Sequence, residues 1–130
     1  MPRYLNPPTV ARPTSRHSHA VALSGSYKRV VVSQQFAVDG AALGVPEQMA
    51  LAFDNFLAVI ASAGCEPRDV VKVTCYCVER GYAAVFDSIR EARLGMLAPA
   101  IAYMEVAGLS APSALVAIDG EAVQESAPQR

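Results

Sequence analysis

The chain has 130 residues, the length of one domain. Its formal net charge is −1, so it lacks the basic field that binding to a nucleic-acid backbone requires, and nucleic acid is not an expected partner. Hydrophobic residues make up 52% of the chain and charged residues 18%, which leaves more apolar surface than one small core hides. Oligomer formation is the expected outlet, because subunit interfaces are richer in apolar area than ordinary surface.

The first 18 residues contain prolines, arginines and polar side chains, without the apolar core of a secretion signal. No apolar stretch reaches the roughly 18 residues that a membrane span needs. The three cysteines are Cys65, Cys75 and Cys77, and an odd number does not predict a disulfide framework. We therefore expect a cytoplasmic protein that does not associate with membranes.

Four prolines within residues 1–15 predict an irregular N-terminal arm. Two runs of strand-forming residues follow, at 17–24 and 28–35. Gly25 and Ser26 lie between them as a turn signal, so the two runs predict a β-hairpin.

Residues 46–63 form the clearest predicted helix. Pro46 suits its first turn, and Gly64 is the expected stop. The apolar residues of this segment repeat at helical spacing and form one stripe: Met49, Phe53, Phe56, Leu57 and Ile60.

The rest of the chain alternates strand and helix patterns. We predict a strand at 70–78, a second helix at 82–93, and strands at 101–107 and 114–122. The inner side of the second helix is predicted to carry Val85, Ile89 and either Ala92 or Arg93.

The predicted order ββαβαββ gives an α/β (α+β) domain with a single mixed sheet and two helices on one face. The domain spans 16–123, between the arm at 1–15 and a flexible tail at 124–130. The second face of the sheet needs a cover that this chain does not supply. A partner subunit is therefore expected there.

Several segments resemble the RidA (YjgF) family, also called endoribonuclease L-PSP-like proteins. The helix sequence EQMALAFDNFLAVIASAG at 47–64 and the strand sequence DVVKVTCY at 69–76 resemble the family's first helix and the strand after it. Pro99-Ala100 and Glu105-Val106-Ala107, followed by Leu109, resemble the strand that carries the family's active-site motif. The resemblance spans roughly residues 17–122 and depends on the combined order of these segments.

This resemblance implies a chorismate-mutase-like fold and a homotrimer whose sheets face inward, with small-molecule clefts between subunits. RidA enzymes hydrolyse reactive enamines and imines, such as 2-aminoacrylate, to keto acids and ammonia. They use no metal and no organic cofactor, so no cofactor is expected.

The chain departs from the family at the residue after Pro-Ala. The family has an arginine there, which suits carboxylate binding because its planar fork donates two parallel hydrogen bonds. This chain has Ile101, which cannot bind a carboxylate. Tyr103 stands where the family often has a small residue or cysteine, and it either stacks on a flat ligand or fills the vacated space. Ile101 and Tyr103 are candidate substrate-binding positions.

The start of the first family strand also differs. Pro-Tyr-Ser-Gln in the family corresponds to Arg16-His17-Ser18-His19 here. An imidazole transfers protons near neutral pH, so His17 is a candidate catalytic residue, and Arg16 is a candidate substrate-binding residue. Arg16, Arg12 or a neighbouring subunit could replace the missing cation. In the alternative interpretation, both histidines simply face water.

Ser33 and Gln35 match the family, whereas Gln34 replaces a glycine and adds a side chain to the cleft. Ser33 and Gln34 are candidate substrate-binding residues. Glu105 matches a family glutamate and is a candidate catalytic residue that orients a water. Equally, Glu105 could hold a loop or a neighbouring subunit in place.

A family acid in the last strand aligns ambiguously, with either Asp119 or Ala117 in its place. His17 with His19, and Cys75 with Cys77, have spacings that are weak signals for zinc on strands, so no metal site is predicted.

Two functions remain open from the sequence. One is a deaminase-like hydrolase whose substrate is an altered imine or enamine, or an aromatic metabolite. The other is a small-molecule binder or regulator that keeps the trimer and has lost the chemistry. A ribonuclease is disfavoured, because the chain lacks a basic patch with interleaved aromatic residues.

Overall fold

The computed structural model describes residues 3–9, 11, 18–23, 25–37 and 43–125. Within this part of the chain, the strands are β1 (Arg3–Leu5), β2 (Ala20–Ala22), β3 (Tyr27–Gln35), β4 (Val70–Cys77), β5 (Ala100–Glu105) and β6 (Val116–Glu125). The α-helices are α1 (Val45–Ser62) and α2 (Ala83–Leu94), and a 3₁₀ turn spans Pro67–Asp69. No helix in the described ranges has the length and apolar character needed to cross a bilayer.

Four strands form one mixed sheet in the order β3-β6-β4-β5. Strands β4 and β5 are parallel, and β6 is antiparallel to both β3 and β4. Helix α2 is the crossover that a parallel pair requires. The predicted mixed sheet with two helices is confirmed, and β3 and β5 are its edge strands.

Helix α1 supplies most of the core. Pro46 lies in its first turn, and Gly64 follows its end with φ +84°, a left-handed conformation that favours glycine. The predicted apolar stripe is buried, although Leu57 is only partly so. Met49, Phe53, Phe56 and Ile60 are fully buried. Each such side chain stabilises the fold by about 1.5–3 kcal/mol.

Gly120 marks a close approach between the central strands. A Cβ atom at this position of β6 would lie 2.1 Å from the Lys72 carbonyl oxygen and 3.0 Å from Cε1 of Phe56. The backbone of β4 and a ring of α1 both occupy the space that any side chain would need. Tight packing of α1 on the sheet therefore requires glycine here.

The fully buried residues of helix α2 each lie one position further along the chain than the predicted inner residues. Phe86, Arg90 and Leu94 are its buried residues, whereas Val85 and Ile89 are half-buried and Ala92 is exposed. Val85 and Ile89 pack against the core as predicted, but the prediction missed the most buried residues because it followed one apolar stripe and a buried arginine interrupts the pattern.

The predicted hairpin was also wrong. Strand β2 pairs with β1, with Arg3 opposite Ala22, while β3 pairs with β6. Part of the arm predicted to be irregular is thus a strand. The last strand runs to Glu125, into the segment predicted as a flexible tail, and Gln124 donates to the Gly64 carbonyl at 3.0 Å. Residues 126–130 lie outside the described residues.

Candidate functional site

Ile101 and Tyr103 face the helix layer from edge strand β5. Their partners on β4, Val73 and Cys75, are fully buried on that side of the sheet. Both residues are half-buried against the core, and the Tyr103 ring lies 5.8 Å from the Phe86 ring of α2. Together they pack the edge of the sheet against α2 and the core. Substrate binding by Ile101 and Tyr103 stays a prediction.

The Tyr103 hydroxyl is buried beside the Cys77 thiol, a weak hydrogen-bond acceptor. Burial raises the pKa of Tyr103 well above its ordinary value, and the neighbouring Cys77 raises it further. The phenol therefore stays protonated at physiological pH and can act as a donor. Burial also raises the pKa of the Cys75 thiol to about 12, so Cys75 is a core residue without thiolate character.

Glu105 is the last residue of β5, and its carboxylate accepts the backbone N–H of Gly81 at 2.9 Å. This contact holds the loop that leads into α2, as the loop-holding alternative expects. Glu105 also lines an open cavity of about 560 Å³, together with Val78, Arg80, Val106 and Ala107. The cavity lies at the carboxyl ends of β4 and β5. A carboxylate and a guanidinium there can orient a water, and a catalytic role for Glu105 stays a prediction.

Ser33 and Gln34 lie on the opposite edge of the sheet, in β3. Three strand spacings separate β3 from β5, which amounts to about 14 Å. One copy of the chain therefore does not bring Ser33 and Gln34 together with Ile101 and Tyr103. If these four residues contact one ligand, two copies must contribute them.

The sheet face opposite the helices carries a polar cluster that the sequence analysis missed. The Tyr76 hydroxyl donates to Oδ2 of Asp119 at 2.9 Å and is hydrogen-bonded to the Gln34 side chain. Burial, followed by the contact with Asp119, raises the pKa of Tyr76. Alternation along β4 was the available signal, since Tyr76 points away from the buried cysteines on either side of it.

Asp119 and Ala117 both lie on this helix-free face. In the β4–β6 register, Ala117 is opposite Tyr76 and Asp119 is opposite Thr74. If Ala117 occupies the position of the family acid, the nearest carboxylate along β6 is the one already bonded to Tyr76.

Three predicted or suggested residues lie outside the described part of the chain: Arg12, Arg16 and His17. The next residue, Ser18, is buried and lies beside β5. Its N–H donates to the Pro99 carbonyl at 3.1 Å, and its hydroxyl donates to the Ala98 carbonyl at 2.6 Å. Within the described ranges, no three His, Cys, Asp or Glu side chains are grouped to hold a metal ion.

Comparison with known proteins identifies the family. The sequence profile described as Endoribonuclease L-PSP matches residues 9–124. Among curated protein sequences, none is significantly similar to this chain.

Several solved structures have a similar fold over most of the length of this chain. A Rid-family protein of unknown function from Yersinia pestis, YyfB, is 28% identical with a TM-score of 0.79, over 93% of this chain and 97% of that one. A putative endoribonuclease L-PSP from Entamoeba histolytica is 26% identical with a TM-score of 0.67, over 95% and 100%. RidA from an Antarctic Psychrobacter is 26% identical with a TM-score of 0.66, over 85% and 89%. This chain therefore belongs to the endoribonuclease L-PSP family, whose fold it shares with the RidA/YjgF proteins.

Proposed function

We propose that this protein is a cytoplasmic homotrimer with small-molecule clefts between its subunits, and that it hydrolyses an imine or enamine. The observation that carries the proposal is family membership over residues 9–124, together with a RidA-like fold. In such a reaction the enamine tautomerises to the imine, water adds to the imine carbon, and the C–N bond breaks. Ammonia leaves, and the carbonyl compound remains.

The trimer is supported by the sheet face that carries no helix. Val31 on β3 is 66% exposed and Met104 on β5 is 42% exposed, while the preceding residues Val30 and Tyr103 pack against the core. Apolar side chains at both edges of an open sheet face are expected to be covered by another copy. A second observation also favours assembly. Ser33 and Gln34 lie on the opposite edge of the sheet from Ile101 and Tyr103, so a second copy is needed to bring both sets to one cleft.

The first experiment measures ammonia released from 2-aminoacrylate generated in situ. It compares the natural protein with Ile101→Arg, and with Ile101→Met as the uncharged control of similar length. Activity in the natural protein supports hydrolysis without an arginine at position 101. Activity in Ile101→Arg alone means that the scaffold has lost its carboxylate anchor for this substrate.

The second candidate function is a non-catalytic small-molecule binder or regulator on the same trimer. It is favoured by the Glu105 carboxylate, which is engaged with the Gly81 N–H, and by the apolar Ile101. Absence of ammonia release from the natural protein and both variants, with folding confirmed by circular dichroism, supports the binder. Light scattering tests the assembly, and a monomer would reject the trimer.

A further inference from the structure

A second cavity lies at the opposite end of the sheet from Glu105. It has a volume of about 420 Å³ and lies at the amino end of β4, beside the carboxyl end of β6 and the loop that leads into β5. Strand β5 is six residues long and therefore spans about 17 Å. The second cavity is thus separate from the one that Glu105 lines at the carboxyl ends of β4 and β5.

Three side chains give the second cavity an apolar wall. Leu97 and Val123 line it from the body of the domain, where Leu97 is half-buried and Val123 is 2% exposed. Tyr4 lines it from β1, and its side chain is 39% exposed. An accessible aromatic ring is suited to stack with a flat ligand. Pockets of roughly 300–1,000 Å³ commonly bind small molecules.

The charged side chains that line the second cavity already have polar partners. Nη2 of Arg68 lies 2.7 Å from Oε2 of Glu66. Oδ2 of Asp69 accepts the Glu66 backbone N–H at 2.7 Å, and Nε2 of Gln124 donates to the same oxygen at 3.4 Å. Glu125 also has a polar contact of its own. A charged ligand competes with these contacts, whereas an uncharged ligand leaves them intact.

The second cavity lies where a small two-stranded sheet meets the body of the domain. Tyr4 belongs to the sheet of β1 and β2, which is separate from the four-stranded sheet and, as a lone pair of strands, gains little stability by itself. This pair is attached through Ser18, which donates to the carbonyls of Ala98 and Pro99. Leu97 directly precedes these acceptors. A molecule in the second cavity therefore contacts both the strand pair and the loop to which it is attached.

We propose that the second cavity binds an uncharged aromatic molecule of one or two rings, between Tyr4 on one side and Leu97 and Val123 on the other. The ligand ring stacks on the Tyr4 ring and displaces water from the apolar wall. This site is independent of the proposed cleft between subunits and goes beyond the proposed hydrolysis.

The test measures binding of indole by isothermal titration calorimetry, with tryptamine and indole-3-acetate as cationic and anionic analogues of the same ring. We expect the natural protein to bind one indole per chain, and to bind each charged analogue at least about 5-fold more weakly. Tyr4→Ala should weaken indole binding at least about 5-fold. Tyr27→Ala is the matched control, because Tyr27 is 42% exposed and is not among the described residues that line the second cavity. It should change the affinity less than about 2-fold.

A variant that fills the second cavity gives an independent readout. Leu97→Phe adds volume to the wall, so it should weaken indole binding at least about 5-fold while Tyr4 stays in place. Indole should raise the midpoint of thermal unfolding of the natural protein, because a ligand that binds only the folded state stabilises it. It should raise the midpoint of Leu97→Phe much less. If Tyr4→Ala does not fold, this comparison decides the matter.

Three outcomes overturn the proposal: no saturable indole binding by the natural protein, equal indole affinity in the natural protein and both Tyr4→Ala and Leu97→Phe, or tighter binding of a charged analogue. Failure of this proposal is distinguishable from failure of the proposed hydrolysis, since ammonia release from 2-aminoacrylate is measured without indole. Indole binding that depends on Tyr4 and Leu97 supports the second cavity even in a protein that releases no ammonia.

Discussion

The hydroxyl of Tyr76 donates to Oδ2 of Asp119 at 2.9 Å, joining the two central strands on the face that carries no helix. Strands β4 and β6 are already connected by backbone hydrogen bonds, so this contact adds a side-chain link in the middle of the sheet. Gln34 extends the cluster to edge strand β3. The cluster therefore spans three of the four strands.

A double-mutant cycle will measure the strength of this link. Tyr76→Phe and Asp119→Ala should each destabilise the protein, and the double variant should lose about 1 kcal/mol less than the sum of the two. Urea unfolding of the four proteins provides the free energies. Additive losses would mean that water replaces the hydrogen bond at no cost.

Substitution of Gly120 should destabilise the fold through overpacking. A methyl group at this position meets the Lys72 carbonyl oxygen at 2.1 Å, so Gly120→Ala must separate β4 from β6. We expect a loss of about 3 kcal/mol in the free energy of unfolding, measured with urea. Gly108→Ala is the matched control, because a Cβ atom there meets nothing within 4 Å. A similar loss in both variants would contradict the argument.

Two substitutions of Glu105 separate its possible roles. Glutamine keeps an oxygen that accepts the Gly81 N–H, whereas alanine removes the acceptor. If Glu105 holds the loop, Glu105→Gln keeps stability and ammonia release, and Glu105→Ala loses about 1 kcal/mol of stability. If Glu105 is catalytic, Glu105→Gln folds normally and loses ammonia release. The comparison therefore requires both unfolding and activity measurements.

Stability should fall in alkaline solution because of the Cys75 thiol. Burial raises its pKa from the ordinary 9.0 to about 12, so between these values the unfolded chain releases the proton while the folded chain keeps it. The stability that the buried, protonated thiol contributes is fully present below pH 9.0. Above that pH the free energy of unfolding falls by about 1.4 kcal/mol per pH unit.

Cys75→Ala should remove that part of the pH dependence. Urea unfolding at pH values on both sides of 9.0 measures the slope. Val73→Ala opens a comparable cavity on the same strand and retains the thiol, so it should retain the natural slope. Equal slopes in the two variants would show that the thiol does not titrate as its burial implies.

Local sequence patterns predicted α1, β4 and the mixed sheet, because burial dictates a period that is readable along the chain. They missed the most buried residues of α2, since a buried arginine looks like a surface residue in sequence. They also paired β2 with β3, because the Gly25-Ser26 turn signal is local and the true partner, β1, lies earlier in the chain.

The candidate site was only partly predictable for a related reason. Ile101 and Tyr103 could be identified as neighbours, because they alternate along one strand and share a face. Their distance from Ser33 and Gln34 depends on the strand order β3-β6-β4-β5, a long-range property that motif spacing does not contain.

The placement of the candidate residues on two opposite edges has a thermodynamic consequence. A ligand that contacts both edges binds the assembled protein and not the isolated subunit. Ligand binding and subunit assembly are then thermodynamically linked. Assembly increases the affinity for the ligand, and the ligand increases the affinity between subunits by the same factor. Dilution would lower the apparent affinity, and saturating ligand would protect the oligomer against dissociation.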